Sequence, residues 1–206
     1  MQDKCGVVGI SSEDPCRNVA KSIYYALYAL QHRGQESAGI SVYDGKVVRT
    51  HKAMGLVAEV FNNARIDALE GPTGIGHVRY STTGESALKN SQPILVKYKE
   101  SSVSIAHNGN LVNAGKLKEE LEAEGEVFHT TSDTEVMARL FVKSMLERED
   151  PAEAVRTIMR KAVGSYSIVI LMGNLVIAAR DPLGIKPLCV GKTETDVIIT
   201  SESAAI

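Results

Sequence analysis

The order of the predicted secondary structure constrains the fold more than any other feature of this sequence. A short apolar strand at the N-terminus precedes a helix, several short strands, three helices in a row and a second group of short strands. Strands that follow one another through tight turns pair antiparallel, whereas parallel pairing needs a long crossover between strands. The order therefore predicts an α+β protein in which stacked antiparallel sheets are covered by helices.

Two hairpin turns are predicted from short dipeptides between β-rich runs. Asp44-Gly45 divides the run that ends at Lys52, and Gly173-Asn174 divides a second run further along the chain. Both dipeptides contain a glycine, which readily adopts the positive φ angles of tight hairpin turns. Before the first hairpin, the apolar spacing predicts a helix over residues 18–33 with Asn18 as its N-cap.

Two further helix starts are marked by side chains that can cap a helix. Ser132 and Glu135 have the spacing of a capping box, which would place Asp133 in the first helical turn. Asp150 followed by Pro151 predicts an N-cap and a first helical position. A third, more N-terminal helix over 113–126 alternates lysine and glutamate, which is typical of a solvated face.

The composition excludes several classes of function. The 206 residues are 44% apolar, which is enough for the core of one domain. The net charge is −2, from 23 basic and 25 acidic residues. Because no basic stripe is present, neither a nucleic acid nor an anionic membrane surface is expected as a partner. The longest apolar run, Ile168 to Met172, has only the length of a strand, so we predict no membrane span and a cytoplasmic protein.

The cysteines and histidines do not form a metal-site pattern. Cys5, Cys16 and Cys189 are scattered and odd in number, which argues against a disulfide framework and a zinc site. His77 and His107 are expected to satisfy local hydrogen bonds. Cys16 and Cys189 are expected to be inert, and Cys5 taken alone would be a small buried hydrophobic residue.

Four polar stretches lie at predicted strand ends or in glycine-containing loops, where functional residues concentrate. Each has a simpler interpretation when it is taken alone: Arg79 as a surface ion-pair partner, Asn108-Gly109 as a tight turn, and Asp133 as a partner of the helix dipole. The four stretches are QHRGQESAG (31–39), GHVRYSTTG (76–84), AHNGN (106–110) and TTSDTE (130–135).

Together with Cys5, these stretches resemble the glutaminase domain of class II glutamine amidotransferases, which are N-terminal-nucleophile hydrolases. The resemblance covers essentially the whole chain, and the wording of the motifs is similar to the amidophosphoribosyltransferase branch. It implies a four-layer αββα sandwich of two antiparallel sheets flanked by helices. It also implies hydrolysis of L-glutamine, with ammonia supplied for 5-phosphoribosylamine synthesis from phosphoribosyl diphosphate in purine biosynthesis.

The resemblance assigns roles to five residues. Cys5 would be the nucleophile, with its own α-amino group as the base, because the pKa of an α-amine lies near neutral pH. Asn108 and Gly109 would supply the two N–H donors of an oxyanion hole. Arg79 would pair with the α-carboxylate of glutamine and Asp133 with its α-ammonium.

Four more residues are expected at the site in lesser roles. Tyr80 and Thr82 are expected to line the glutamine pocket, with simple packing as the alternative. Arg33 and Gly34 are expected to shape the site beside the amine of the nucleophile.

The α-amine requirement predicts processing of the chain. A peptide nitrogen cannot act as a base because its lone pair is delocalised into the carbonyl. We therefore predict that residues 1–4 are a propeptide, removed by attack of the Cys5 thiol on the Lys4 carbonyl, and that 5–206 form the glutaminase domain. The chain stops after a strand, from which we expect the natural protein to continue.

The resemblance also implies partners that this chain does not contain. A phosphoribosyltransferase domain would follow in the full-length protein, which would be a homo-oligomer. No cofactor is expected in this chain: Mg²⁺, and in some relatives an iron–sulfur cluster, would be held outside it. Two alternatives remain open: a hydrolase of another small amide, and an unprocessed, non-catalytic domain that binds glutamine or a partner and in which Cys5 is structural.

Overall fold

The computed structural model describes residues 4–80 and 87–206. The strands are β1 (Gly6–Ser12), β2 (Ser37–Tyr43), β3 (Val48–Met54), β4 (Thr73–Arg79), β5 (Ile94–Tyr98), β6 (Ser101–Leu111), β7 (Gly164–Met172), β8 (Leu175–Arg180), β9 (Cys189–Lys192) and β10 (Asp196–Thr200). The α-helices are α1 (Ala20–Ala29), α2 (Val57–Val60), α3 (Asn63–Asp67), α4 (Ala114–Ala123), α5 (Asp133–Arg148) and α6 (Pro151–Lys161). Short 3₁₀ turns cover Gln31–Arg33, Leu88–Asn90 and Ser203–Ala205.

The strands form two sheets in which neighbouring strands are antiparallel. The larger sheet has the order β3-β2-β4-β1-β10-β9, and the smaller has the order β5-β6-β7-β8. In the larger sheet the first residue of β1, Gly6, pairs with Val78 near the end of β4. The N-terminal end of β1 therefore lies beside the C-terminal end of β4.

Three apolar clusters separate four layers. One cluster lies between the larger sheet and α1, α2 and α3, and another lies between the smaller sheet and α4, α5 and α6. A smaller cluster joins the two sheets, where Val7 of β1 and Ile75 of β4 meet Ala106 of β6 and Val169 of β7. The predicted αββα sandwich is confirmed. Because successive side chains of a strand point to opposite faces, each strand presents alternate residues to a helix layer and to the space between the sheets.

Most local predictions are confirmed. The Gly173-Asn174 hairpin joins Met172 to its partner Leu175 through a two-residue turn. The hairpin at Asp44-Gly45 is also present, although its loop has four residues and is held by Asp44 Oδ1, which accepts from the N–H groups of Lys46 and Val47 at 2.8 Å each. The first helix is shorter than predicted, since α1 spans Ala20–Ala29 and a 3₁₀ turn follows it. The prediction of Asn18 as its N-cap is wrong, because Val19 occupies that position, although Asn18 Oδ1 accepts from the Ala20 N–H at 3.0 Å.

The starts of α5 and α6 are predicted correctly, but the capping box predicted for α5 is wrong. Asp150 caps α6 by accepting from Ala152 N–H at 2.9 Å, with Pro151 at the first position. Ser132 caps α5 through the N–H of Thr134. Glu135 does not return to the backbone of Ser132, as a capping box requires. Its carboxylate instead accepts from the N–H groups of the residues at 129 and 130, which tethers the preceding loop.

The interpretation of Asn108-Gly109 as a tight turn is wrong. Both residues lie inside β6, where Asn108 pairs with Ser167 and Gly109 pairs with Tyr166 of β7. The helices α2 and α3 and the strand β9 were not predicted, since each has only four or five residues and carries little periodic signal. Within 4–80 and 87–206, no helix is long and apolar enough to cross a membrane.

Candidate active site

Cys5 lies immediately before β1, in a backbone conformation that only a few non-glycine residues adopt. Its φ angle is 67°, a left-handed value that costs an L-residue roughly 1–2 kcal/mol. The Cys5 N–H donates to the carbonyl of Arg33 at 2.8 Å, and the Arg33 Nε–H donates to the carbonyl of Cys5 at 2.7 Å. One residue of the 3₁₀ turn thus holds both backbone groups of the cysteine.

The Cys5 thiol is buried against the backbone of Tyr80. Its Sγ accepts from the Tyr80 N–H at 3.3 Å and lies 3.4 Å from the Tyr80 carbonyl oxygen. Burial raises the pKa of the thiol above its ordinary value, and the Tyr80 N–H and the positive charges of Arg79 and Lys186 oppose the shift without cancelling it. The thiol is therefore neutral near pH 7, and a nucleophilic role requires a base.

Arg79 ends β4 and is buried rather than at the surface. Its guanidinium forms an ion pair with the carboxylate of Glu36, and the backbone N–H of Glu36 donates to the Arg79 carbonyl at 3.0 Å. The interpretation of Arg79 as a surface ion-pair partner is therefore wrong. Since residues 75, 77 and 79 share one face of β4, and Ile75 packs between the sheets, Arg79 also faces the space between the sheets.

Asn108 faces the same space from the opposite sheet. It shares its face of β6 with Ala106, which belongs to the cluster between the sheets. Its side chain is fully buried, and among the residues that the structure describes neither Oδ1 nor Nδ2 has a hydrogen-bond partner. A buried amide without partners costs free energy, so such a group is retained at a site where it binds something else.

Gly109 can only be glycine in this backbone arrangement. Its φ angle is +151°, and a Cβ atom would lie 2.0 Å from the carbonyl oxygen of Ser165. The close approach of β7 excludes any side chain at this position. The chain therefore places a backbone without a Cβ directly after the unpaired amide of Asn108.

Asp133 begins α5 and points toward the same end of β6. Its Oδ2 accepts from the Leu111 N–H at 3.0 Å, and its Oδ1 lies 3.3 Å from Nδ1 of His107. Burial acts to raise the pKa of this carboxyl group, but His107 and the backbone N–H groups of Leu111 and Thr134 hold it below its ordinary value. Asp133 is thus an ionised, oriented carboxylate, and its contacts extend beyond those of a partner of the helix dipole.

Gly34 and Arg33 form the wall beside Cys5. A Cβ atom on Gly34 would lie 2.6 Å from the carbonyl carbon of Val78 and 2.7 Å from the nitrogen of Arg79, so the turn packs directly on the β4 backbone. The Arg33 guanidinium forms an ion pair with Glu202, which comes from the C-terminal end of the chain. The turn before β2 is thereby fixed to both ends of the domain.

Tyr80 contributes its backbone to the site, while its side chain is half exposed. The ammonium group of Lys4 lies 4.4 Å from the centre of the Tyr80 ring, in a cation–π contact. The side chain of Lys4 therefore contacts the residue whose backbone holds the Cys5 thiol, and the Lys4 carbonyl is bonded to the Cys5 nitrogen. The predicted role of Thr82 falls on a residue outside the described ranges.

Three residues at the site were missed in the sequence. Glu36 lies inside a stretch that was singled out, but its pairing with Arg79 depends on the register of β2 and β4. Asp181 is buried after β8 and accepts from the N–H groups of Ile185 and Lys186 at 3.0 and 3.1 Å. This fixes the loop that brings the charge of Lys186 near Cys5. In the sequence, the proline and glycine residues of DPLGIKP (181–187) could have indicated that this loop is a turn.

The two histidines beside the motifs satisfy local bonds only in part. His77 Nε2–H donates to the His107 carbonyl at 3.1 Å, and burial lowers the pKa of His77 to about 3. His77 Nδ1 and His107 Nε2 are buried without partners among the described residues. In the part of the chain that the structure covers, no group of three or more His, Cys, Asp or Glu side chains could hold a metal ion.

Comparison with known proteins identifies the family. The family described as "Glutamine amidotransferase domain" matches residues 77–206, which include Arg79, Asn108, Gly109 and Asp133. The chain belongs to the glutamine amidotransferase domain family. Cys5 lies upstream of the matched segment, but the similarity to individual proteins extends over essentially the whole of this chain.

Several similar proteins carry one common name. Proteins named amidophosphoribosyltransferase from Methanocaldococcus jannaschii and Archaeoglobus fulgidus are 49% and 50% identical over 202 residues, which is 98% of this chain and 43% and 44% of theirs. A solved structure of glutamine phosphoribosylpyrophosphate amidotransferase from B. subtilis, complexed with ADP and GMP, matches with a TM-score of 0.85 and 38% identity over 98% of this chain and 42% of that chain. This glutamine amidotransferase domain thus has the N-terminal-nucleophile hydrolase fold and spans less than half the length of the relatives that it matches.

Proposed function

We propose that this glutamine amidotransferase domain hydrolyses L-glutamine to glutamate and ammonia through a γ-glutamyl thioester on Cys5. The observation that carries the proposal is the buried, unpaired side-chain amide of Asn108, which faces the space between the sheets together with Arg79. An N–H donor held without a partner is preorganised for an oxyanion that forms only during the reaction.

Because burial raises the pKa of the Cys5 thiol, its attack on an amide requires a base. We assign this role to the α-amino group of Cys5 itself. In the unprocessed chain that nitrogen is an amide whose N–H points at the Arg33 carbonyl. Once Lys4 is removed, an amine at the same place would donate one N–H to that carbonyl, since a carbonyl can only accept. Its lone pair would then be available to take the proton of the thiol.

Removal of the propeptide is part of the proposal. The thiol sulfur of Cys5 would attack the Lys4 carbonyl carbon and form a thioester, while the carbon–nitrogen bond breaks and the thiol proton passes to the amine. Water would then hydrolyse the thioester and release residues 1–4. The left-handed φ of Cys5 raises the energy of the uncleaved chain and favours this step.

Two charges of opposite sign would select free glutamine. Arg79 offers a guanidinium for the α-carboxylate, and Asp133 offers an ionised carboxylate for the α-ammonium. A peptide-bound glutamine has neither charge. This pair argues against another small amide as the substrate, because a neutral amide has no charged groups for Arg79 and Asp133 to bind.

The fate of the ammonia is proposed from the relatives. Because they are named amidophosphoribosyltransferase, we infer that the ammonia serves 5-phosphoribosylamine synthesis from phosphoribosyl diphosphate in purine biosynthesis. A phosphoribosyltransferase domain in the full-length protein would carry out that step, with Mg²⁺ and any iron–sulfur cluster held there. A homo-oligomer in the cytoplasm is part of the same proposal.

Intact-mass spectrometry combined with a glutaminase assay tests this function. We expect active protein to lack residues 1–4 and to gain one equivalent of an electrophilic glutamine analogue. Cys5→Ser should release no glutamate. Full activity in protein that retains Lys4, or wild-type activity in Cys5→Ser, would show that the mechanism is wrong. An unprocessed wild-type protein that binds glutamine without hydrolysing it would favour the non-catalytic alternative.

A further inference from the structure

A buried histidine stands behind the proposed ammonium-binding carboxylate. His107 precedes Asn108 on β6 and shares its strand face with Ile105, which packs against the helix layer. On that face its Nδ1 lies 3.3 Å from Oδ1 of Asp133 and 3.4 Å from Oγ1 of Thr134. The ring therefore contacts the first turn of α5 from behind, on the side away from the space between the sheets.

The neighbouring carboxylate indicates that Nδ1 of the ring carries a proton. A lone pair on Nδ1 would face Oδ1 of Asp133 and be repelled by it, so the proton lies on Nδ1. Nδ1 lies 3.3 Å from Oδ1, while the Leu111 N–H donates to Oδ2 at 3.0 Å. The backbone N–H groups of Leu111 and Thr134 and the ring of His107 together orient the carboxylate. A carboxylate has about four lone-pair sites, so a site remains for a substrate ammonium.

The backbone of β6 fixes the position of the ring. The His107 N–H donates to Oε1 of Gln92 at 2.6 Å, and its carbonyl accepts from Nε2 of His77 at 3.1 Å. On its other side the ring lies against Gly109, since a Cβ atom at that position would be 2.9 Å from His107 Nε2. The imidazole is thus packed between the proposed ammonium site and the proposed oxyanion glycine.

The second ring nitrogen shows that this placement is not only a matter of packing. Nε2 is buried and, within the described parts of the chain, has no hydrogen-bond partner. An apolar side chain of similar size would avoid that cost. Since the unpaired Nε2 makes the imidazole unfavourable here, we attribute its presence to the other nitrogen, Nδ1, which contacts Asp133.

We propose that His107 is a positioning residue for recognition of the α-ammonium of the substrate, acting by holding the Asp133 carboxylate in the orientation that receives it. This inference rests on the proposed glutaminase function. It predicts a defect that depends on the ammonium group of the ligand and not on the chemistry at its amide.

Two ligands that differ only in the α-ammonium group distinguish a defect in ammonium binding from a defect at the amide. They are L-glutamine and 4-carbamoylbutanoate, which lacks the α-amine. In the processed protein, His107→Leu should raise the KM for glutamine on the order of 10- to 100-fold, the value of a hydrogen bond to a charged group, and change kcat by less than about threefold. The inhibition constant of 4-carbamoylbutanoate as a competitor should change by less than about twofold, because this ligand has no ammonium to be oriented.

Two matched variants test which ring nitrogen matters. An asparagine amide N–H can occupy the place of Nδ1–H, so His107→Asn should restore most of the affinity for glutamine. A glutamine side chain places its amide near Nε2, so His107→Gln should behave like His107→Leu. This pair keeps the test decisive even where the leucine variant fails to fold.

A double substitution tests whether His107 acts through Asp133. In an Asp133→Asn background, His107→Leu should raise the KM for glutamine no further. Equal loss of both ligands, equal behaviour of the Asn and Gln variants, or additive effects in the double variant would each overturn the proposal. A wild-type protein that is processed but does not hydrolyse glutamine would instead refute the proposed function.

Discussion

Replacement of Asn108 by leucine is expected to make the protein more stable and nearly inactive. The amide is fully buried with both polar atoms unpaired among the described residues. Leaving a buried polar group unsatisfied costs about 1–3 kcal/mol, so its removal should recover free energy of unfolding of that order. The same change removes an N–H donor from the proposed oxyanion hole, for which the expected fall in kcat is about 10²–10³-fold.

Asn90 provides the matched control. It is also fully buried, but its amide donates to Thr131 Oγ1 at 3.0 Å and accepts from the Thr131 N–H at 3.1 Å. Asn90→Leu makes the same change in side-chain size and breaks the hydrogen bonds to Thr131, so it should lower the free energy of unfolding by about 1–3 kcal/mol. The difference between the two variants should therefore be at least about 2 kcal/mol, with Asn108→Leu the more stable.

Urea unfolding and thermal melts measure that difference. For a chain of this length, 2 kcal/mol corresponds to about 4–8 °C in Tm. Asn108→Leu should keep the wild-type slope of unfolding with denaturant, which shows that the fold is unchanged. If both leucine variants lose the same stability, the Asn108 amide is satisfied in the folded protein, and the reasoning that assigns it to an oxyanion is refuted.

Three further predictions follow from particular contacts. Arg79→Lys should raise the KM for glutamine about 10- to 100-fold with a smaller change in kcat, because an ammonium cannot form the bidentate pair; an unchanged KM in steady-state assays would contradict the assignment. Gly34→Ala should lower the free energy of unfolding by about 1–3 kcal/mol, since its Cβ would press on the β4 backbone, whereas Gly115→Ala, where nothing lies within 4 Å, should not destabilise. His77 has a pKa of about 3 in the folded chain against an ordinary value of 6.5, so the unfolded chain binds the extra proton between these values and stability falls as pH decreases. Between pH 6.5 and 5 this contributes a loss of about 1–2 kcal/mol, which urea titrations of His77→Gln should lack.

Local sequence signals predicted the elements whose cause is local. The start of α6 needs only Asp150, Pro151 and a free N–H group, and the Gly173-Asn174 turn needs only a residue that tolerates positive φ. The same local reasoning would make Asn108-Gly109 a turn. It fails because hydrogen bonding to β7 carries β6 straight through the dipeptide, and a whole strand of ladder bonds outweighs the preference of two residues.

The main candidate site residues could also be named from the sequence, whereas their surroundings could not. The motifs that resemble those of class II glutamine amidotransferases contain the candidates Cys5, Arg79, Asn108, Gly109 and Asp133. The partner of Arg79 is Glu36, and only the pairing of β2 with β4 places the two side by side. Sequence spacing cannot show this, because register is a property of two strands together.

The N-terminus of α5 shows the same contrast between contacts set by neighbouring residues and contacts set by tertiary packing. Ser132 was expected to cap α5, and it does, because the residues involved are neighbours in the chain. Glu135 was expected to complete the capping box and instead holds the loop before the helix. Several backbone N–H groups compete for the Glu135 carboxylate, and the packing of the loop decides which of them it binds. The sequence spacing of Ser132 and Glu135 carries no information about that packing.

The sequence by itself predicted an α+β protein from the order of its elements. The resemblance of its motifs to a known family added the αββα sandwich, the family and the candidate site residues. The tertiary structure decided the states of those residues. Burial and the surrounding charges set the raised pKa of Cys5 and the lowered pKa of Asp133, and the stacking of the sheets left the Asn108 amide unpaired. These properties depend on distances between groups remote in sequence, because desolvation and electrostatic interaction act through space.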